Sequence, residues 1–79
     1  MDTLLLEYKL KVHNIPRPVL LEVMGWSEGT RQARCLRGEN WTVEELRTLL
    51  QVGFSFEEIR EIFFALRDHE NGQNEKEGI

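Results

Sequence analysis

The chain carries a single cysteine, Cys35, which excludes an internal disulfide framework and any cysteine-rich zinc knuckle. Proline is almost as scarce: Pro16 and Pro18 are the only two, and they flank Arg17 in one segment. No apolar run approaches the ~18 residues needed to span a bilayer; Leu4-Leu5-Leu6 and Ile62-Phe63-Phe64 are the runs of note. Met1-Asp2 offers no basic stretch ahead of a cleavable apolar segment, so a secretory signal is not expected. Strand signals are missing too, because the one Asn-Gly pair, Asn71-Gly72, sits in a polar stretch rather than between alternating runs. His13 and His69 are far apart, with no metal-ligand spacing around them, and nothing resembles a phosphate-cradling glycine loop. No cofactor is expected.

What remains is a chain of 79 residues, 41% hydrophobic and 30% charged, suited to one small globular domain. A domain of this size buries only about 60% of its unfolded surface, so its core is thin. Without a disulfide, stability must come from helix packing or self-association, and a reducing cytoplasm is the expected setting.

Charge is unevenly spread. Net charge is -4, yet residues 1–43 hold six basic and five acidic side chains, whereas residues 44–79 hold four and nine. Within 9–38, six cations (Lys9, Lys11, Arg17, Arg31, Arg34 and Arg37) face only Glu22 and Glu28. That asymmetry allows a basic binding face on an acidic protein.

Periodicity predicts an all-α chain of five helices. The first, about 3–13, has Leu6 and Leu10 four apart with Leu5, Tyr8 and Val12 beside them. Asn14 and the two prolines end it. The second, about 17–24, places Val19, Leu20, Val23 and Met24 on one face and stops at Gly25. Ser27 is a suitable N-cap for a third helix over 28–37, closed by Gly38. Thr42-Val43-Glu44-Glu45 and Ser55-Phe56-Glu57-Glu58 are two capping boxes, each with a staple, Trp41 with Leu46 and Phe54 with Ile59. They open helices over 43–51, presenting Val43, Leu46, Leu49 and Leu50, and 56–67, presenting Ile59, Ile62, Phe63 and Leu66. Residues 69–79 are nearly devoid of apolar side chains and are expected to be a disordered polar tail after a domain of residues 1–68.

A short helix, a glycine-containing turn and a second helix repeat the spacing of a helix-turn-helix unit. Tyr8-Lys9-Leu10-Lys11 with Asn14, then Met24-Gly25-Trp26-Ser27-Glu28-Gly29-Thr30, Trp41-Thr42-Val43-Glu44-Glu45-Leu46, and Phe54-Ser55-Phe56-Glu57-Glu58-Ile59 extend the pattern. Over about Leu4 to Phe64 these segments resemble the small phage Cro/repressor-type (Xre-like) helix-turn-helix proteins, which often end with a similar Glu-Ile-Phe-Phe. The resemblance implies a compact five-helix, lambda-repressor-like domain. The sequence departs from that family at Leu21, where alanine is usual, at Arg31, where an apolar residue is usual, and at Pro16-Arg17 in place of Thr-Gln. Such changes alter the brace between helices two and three, or turn Ala33, Cys35 and Leu36 inward.

Carried over position by position, the resemblance puts Ser27, Glu28, Gly29 and Thr30 at the opening of the recognition helix. There hydroxyls and amides meet phosphate. Arg31, Gln32 and Arg34 become the side chains that reach base edges, and Arg37, Arg17, Lys9 and Lys11 the backbone contacts. Double-stranded DNA is then the expected partner. The expected function is sequence-specific transcriptional regulation of phage or prophage type, in the host cytoplasm or nucleoid. An antirepressor-like module acting through the acidic half on a protein such as a repressor is the alternative, and an excisionase-like DNA-bending factor a third. Glu57, Glu58 and Glu61 fit a macrodipole-complementing first turn better than acid–base catalysis, so no enzyme is expected. Adjacent helix residues lie about 100° apart, so Phe63 and Phe64 cannot both enter a narrow core. Phe64, with Phe56, is therefore a candidate homodimer contact.

Overall fold

Asp2 starts the first helix twice over. Its Oδ1 accepts from the Leu5 amide at 3.0 Å, and its own amide donates to the Ile62 carbonyl at 2.7 Å, tying the start of the chain to its last described helix. The computed structural model describes residues 1–64. Within them lie α1 (Thr3–Val12), α2 (Arg17–Met24), α3 (Glu28–Arg31) with a π-helical continuation over Gln32–Leu36, α4 (Val43–Gln51) and α5 (Phe56–Phe63). No strand occurs among the described residues, and the chain is all-α. The expected tail over 69–79, the last turn of the fifth helix and Leu66 lie outside the described residues.

Local chemistry accounts for most boundaries. Both capping boxes form: the Thr42 and Ser55 hydroxyls each accept from the amide three residues on, at 3.1 Å, while Glu45 and Glu58 reach back to the capping amides. Pro18 sits in the first turn of α2, where its missing donor costs nothing. Three helices end alike. The Ile15, Trp26 and Phe54 amides donate to carbonyls five residues back, at 2.9–3.0 Å, each after a left-handed residue: Asn14, Gly25 or Gly53. This double closure satisfies the last carbonyls and turns the following apolar residue back over the helix end.

The core is formed by Leu6, Leu10, Ile15, Leu20, Cys35, Leu49, Phe54, Ile59 and Ile62. α1 lies across α5 and the π-helical turn, and α2 packs on α4. Cys35 takes the core position expected of it, and burial pushes its thiol up to about 11.

Three expectations change. The third helix is α-helical only to Arg31, because two ties hold the next turn open. Trp41 Nε1 donates to the Arg34 carbonyl at 2.8 Å, and the Arg34 side chain leaves the helix surface for Glu45. Of the trio Ala33, Cys35 and Leu36, Cys35 is buried, Ala33 half-buried and Leu36 exposed. On α2 and α4 the buried faces are narrower than the periodicity predicts: Val19, Val23 and Val43 are exposed while Leu20 and Leu49 are buried.

Candidate nucleic-acid interface

α2 and α3 are joined by Gly25, Trp26 and Ser27. Gly25 adopts φ +70°, and no atom would meet a Cβ placed there, so backbone conformation alone favours glycine. Trp26 is fixed to the scaffold, donating from Nε1 to Glu45 at 2.9 Å and meeting Trp41 edge-on with ring centres 5.4 Å apart. Ser27 then caps α3, its Oγ accepting from the Thr30 amide at 3.2 Å and donating to Thr30 Oγ1 at 3.1 Å.

Glu28 gathers the opening turn. Its carboxylate accepts from Arg31 Nε at 3.0 Å and Nη2 at 2.6 Å, and from Gln32 Nε2 at 3.2 Å. Those bonds, the Arg31 pair foremost, lower the Glu28 carboxyl to about 2 and raise Arg31 above its ordinary value. Thus the α3 opening carries two bonded groups, Ser27 with Thr30 and Glu28 with Arg31 and Gln32. Arg34 joins neither: the π-helical turn sends its guanidinium to Glu45 at 2.9 Å, over the Trp26 ring. Arg37 pairs with Glu39 at 3.3 Å and remains exposed. Lys9 lies away from both groups, paired with Glu58 at 3.3 Å.

Lys11 and Arg17 stand apart for another reason. Among the described residues they are the only Lys or Arg side chains with no carboxylate partner, because the other six each hold one. Together with Arg31 and Glu7 they rim a cavity of about 190 Å³ between α1, α2 and the π-helical turn. The ten sequence-derived candidates therefore separate into an α3 cluster, a cavity-rim pair that Arg31 joins, and the outlying Arg34, Arg37 and Lys9. The proposed dimer contacts are both exposed, Phe56 at 78% and Phe64 at 46%, while Phe63 turns inward against Trp41 with ring centres 5.0 Å apart.

Sequence reasoning missed Glu45 and Glu58 as tertiary anchors. Glu45 binds Arg34, Trp26 and the Thr42 amide; burial pushes its carboxyl up, but those bonds outweigh it and hold it low. Glu58 accepts from the Ser55 amide and from His13 Nε2, which lies 2.9 and 3.0 Å from its oxygens. The Ser55 bond foremost lowers its carboxyl to about 2. No signal at box spacing reveals such long-range partners.

No grouping of three or more His, Cys, Asp or Glu side chains among the described residues could hold a metal ion. No helix among them is long and apolar enough to cross a membrane. No family model, curated protein or solved structure matches the chain.

Proposed function

We propose that the protein is a sequence-specific DNA-binding transcriptional regulator whose α2–turn–α3 unit docks in a major groove. The observation that carries this reading is the α3 opening. A short helix held against α4 leads through a left-handed glycine to a capped turn bearing exposed Ser27 and Gln32, half-buried Thr30, and Arg31, whose side chain is 13% exposed and held by Glu28. Lys11 and Arg17, unpaired in the free protein, supply phosphate contacts at no cost in broken ion pairs, and exposed Arg37 adds a third. Arg31 and Gln32 read base edges after exchanging Glu28 for the base, so Glu28 both holds them ready and discriminates against weak sites. Arg34 contributes less directly, by fixing the π-helical turn through Glu45. In this reading the active form is a homodimer on paired half-sites, joined through Phe56 and Phe64, and the protein is not an enzyme.

A titration against the gene's own upstream DNA over a salt series tests it. Specific binding predicts a loss of about 0.9 log unit in affinity per log unit of salt for each neutralised phosphate. Binding without salt dependence, or none at low salt, overturns it. That outcome would favour a protein-binding, antirepressor-like role, for which Leu4, Tyr8 and Val12 offer an exposed apolar stripe at four-residue spacing on α1.

A further inference from the structure

The cavity between α1, α2 and the π-helical turn is built unlike a surface dimple. Its lining includes Ile15, Leu20 and Cys35, all buried, and it opens to solvent with a volume of about 190 Å³. An apolar cavity of roughly 150 Å³ admits a benzene molecule, so a phenyl-sized group fits here without displacing the core. One wall, Cys35 with Leu36, belongs to the π-helical turn, a geometry that recurs at functional sites because it opens a helix locally.

The rim selects charge. Lys11 and Arg17, the two described Lys or Arg side chains without a carboxylate, both border this cavity. Arg31 completes the rim but is committed to Glu28, and Glu7 offsets one further charge. The local balance, counting Glu28 with Arg31, is therefore a single positive charge, which suits a monoanion better than a phosphate dianion. An apolar chamber with a few convergent polar groups at its mouth is the general form of a small-molecule site.

We propose that this cavity binds a small amphipathic monocarboxylate, its phenyl-sized body on Ile15, Leu20 and Cys35 and its carboxylate between Lys11 and Arg17. The ligand ties α1, α2 and the third helix together, so binding raises the thermal midpoint of the native state. This site stands whether or not α3 reads DNA.

The test is a nuclear magnetic resonance titration of the full chain with phenylacetate, with phenylacetamide as its uncharged counterpart and acetate as the control that keeps the carboxylate and lacks the ring. Saturable shifts at Ile15, Leu20 and Cys35 are expected with phenylacetate, about tenfold tighter than with the amide, and no saturation with acetate. The exposed Lys11→Ala, Arg17→Ala double variant should erase the acid–amide difference while keeping the wild-type urea midpoint. Equal affinity for acid and amide in the wild type overturns the proposal. So does the absence of saturable shifts up to about 20 mM ligand, where even a weak site would be half filled.

Discussion

Glu45 and Glu58 each perform two jobs with one carboxylate. Each closes the N-terminus of its own helix, and each reaches across to another element: Glu45 to Arg34 and Trp26, Glu58 to His13 and Lys9. Thr42→Ala removes only the cap hydroxyl and should cost about 1 kcal/mol. Glu45→Ala also strands Arg34 and the Trp26 indole, so a larger loss is expected, on the order of 2–3 kcal/mol. Urea midpoints of the two variants would separate the cap from the anchor; equal losses would mean the cross-helix bonds contribute nothing. Acid dependence follows from the same groups. Glu58 and Glu28 are lowered from 4.5 to about 2, and Glu45 is lowered as well. A carboxyl depressed in the folded state stabilises it above the unfolded value and loses that contribution as pH falls through the folded one. Stability should therefore fall between about pH 4.5 and about pH 2, and Glu58→Gln should flatten that fall in urea melts taken across the window. Glu28 lies at the surface, where solvent screens its pair, so Glu28→Gln should alter the profile less.

At the scale of elements, the helix starts were largely legible and the tertiary ties were not. Capping boxes are local patterns of side chain and backbone, so Thr42-Glu45 and Ser55-Glu58 could be recognised from spacing alone. Gly25 as the end of α2 was legible for the same reason. The Asp2 cap was missed, since it lies at the start of the chain ahead of a leucine run. The π-helical turn was invisible because its cause is distant: Trp41 and Glu45 hold Arg34 from another segment. The basic face shows the same limit. Six cations within 9–38 looked like one surface, but four of them are engaged by carboxylates, two local (Glu28 and Glu39) and two distant in sequence (Glu45 and Glu58), leaving Lys11 and Arg17 unpaired. The glycine ends give a test at this scale. Gly25 has open space around it, so Gly25→Ala should cost only the left-handed strain, about 1–2 kcal/mol. At Gly38, φ +68°, a Cβ would meet Met1 Cγ at 2.8 Å, so Gly38→Ala adds displacement of the Met1 side chain to the same strain. Denaturant melts should rank Gly38→Ala below Gly25→Ala in stability; equal losses would mean Met1 moves aside freely.

For the whole molecule, the apolar surface left after folding bears on assembly. Phe56 is 78% exposed in the first turn of α5, next in sequence to the exposed acid Glu57. Phe64 is a poorer probe of the proposed dimer. Its ring lies 6.4 Å from Phe63, which packs on Trp41, so truncating it would disturb the aromatic group that connects α5 to the third helix. Phe56→Ser avoids that confusion. An exposed side chain outside the core contributes within about 0.5 kcal/mol to folding, so the urea midpoint should stay unchanged. If two copies join through α5, they present two third helices to DNA and must match half-sites about 34 Å apart, one helical turn. Phe56→Ser should then lower the mass seen by light scattering and weaken binding to a two-half-site probe by more than tenfold. Binding to a single half-site should be nearly unaffected, because each α3 opening remains intact. An equal loss on both probes would place Phe56 in the fold or the DNA contact instead. A monomeric wild type with no loss on either probe would remove α5 from the assembly, leaving the Leu4, Tyr8 and Val12 stripe of α1 as the exposed apolar face to examine next.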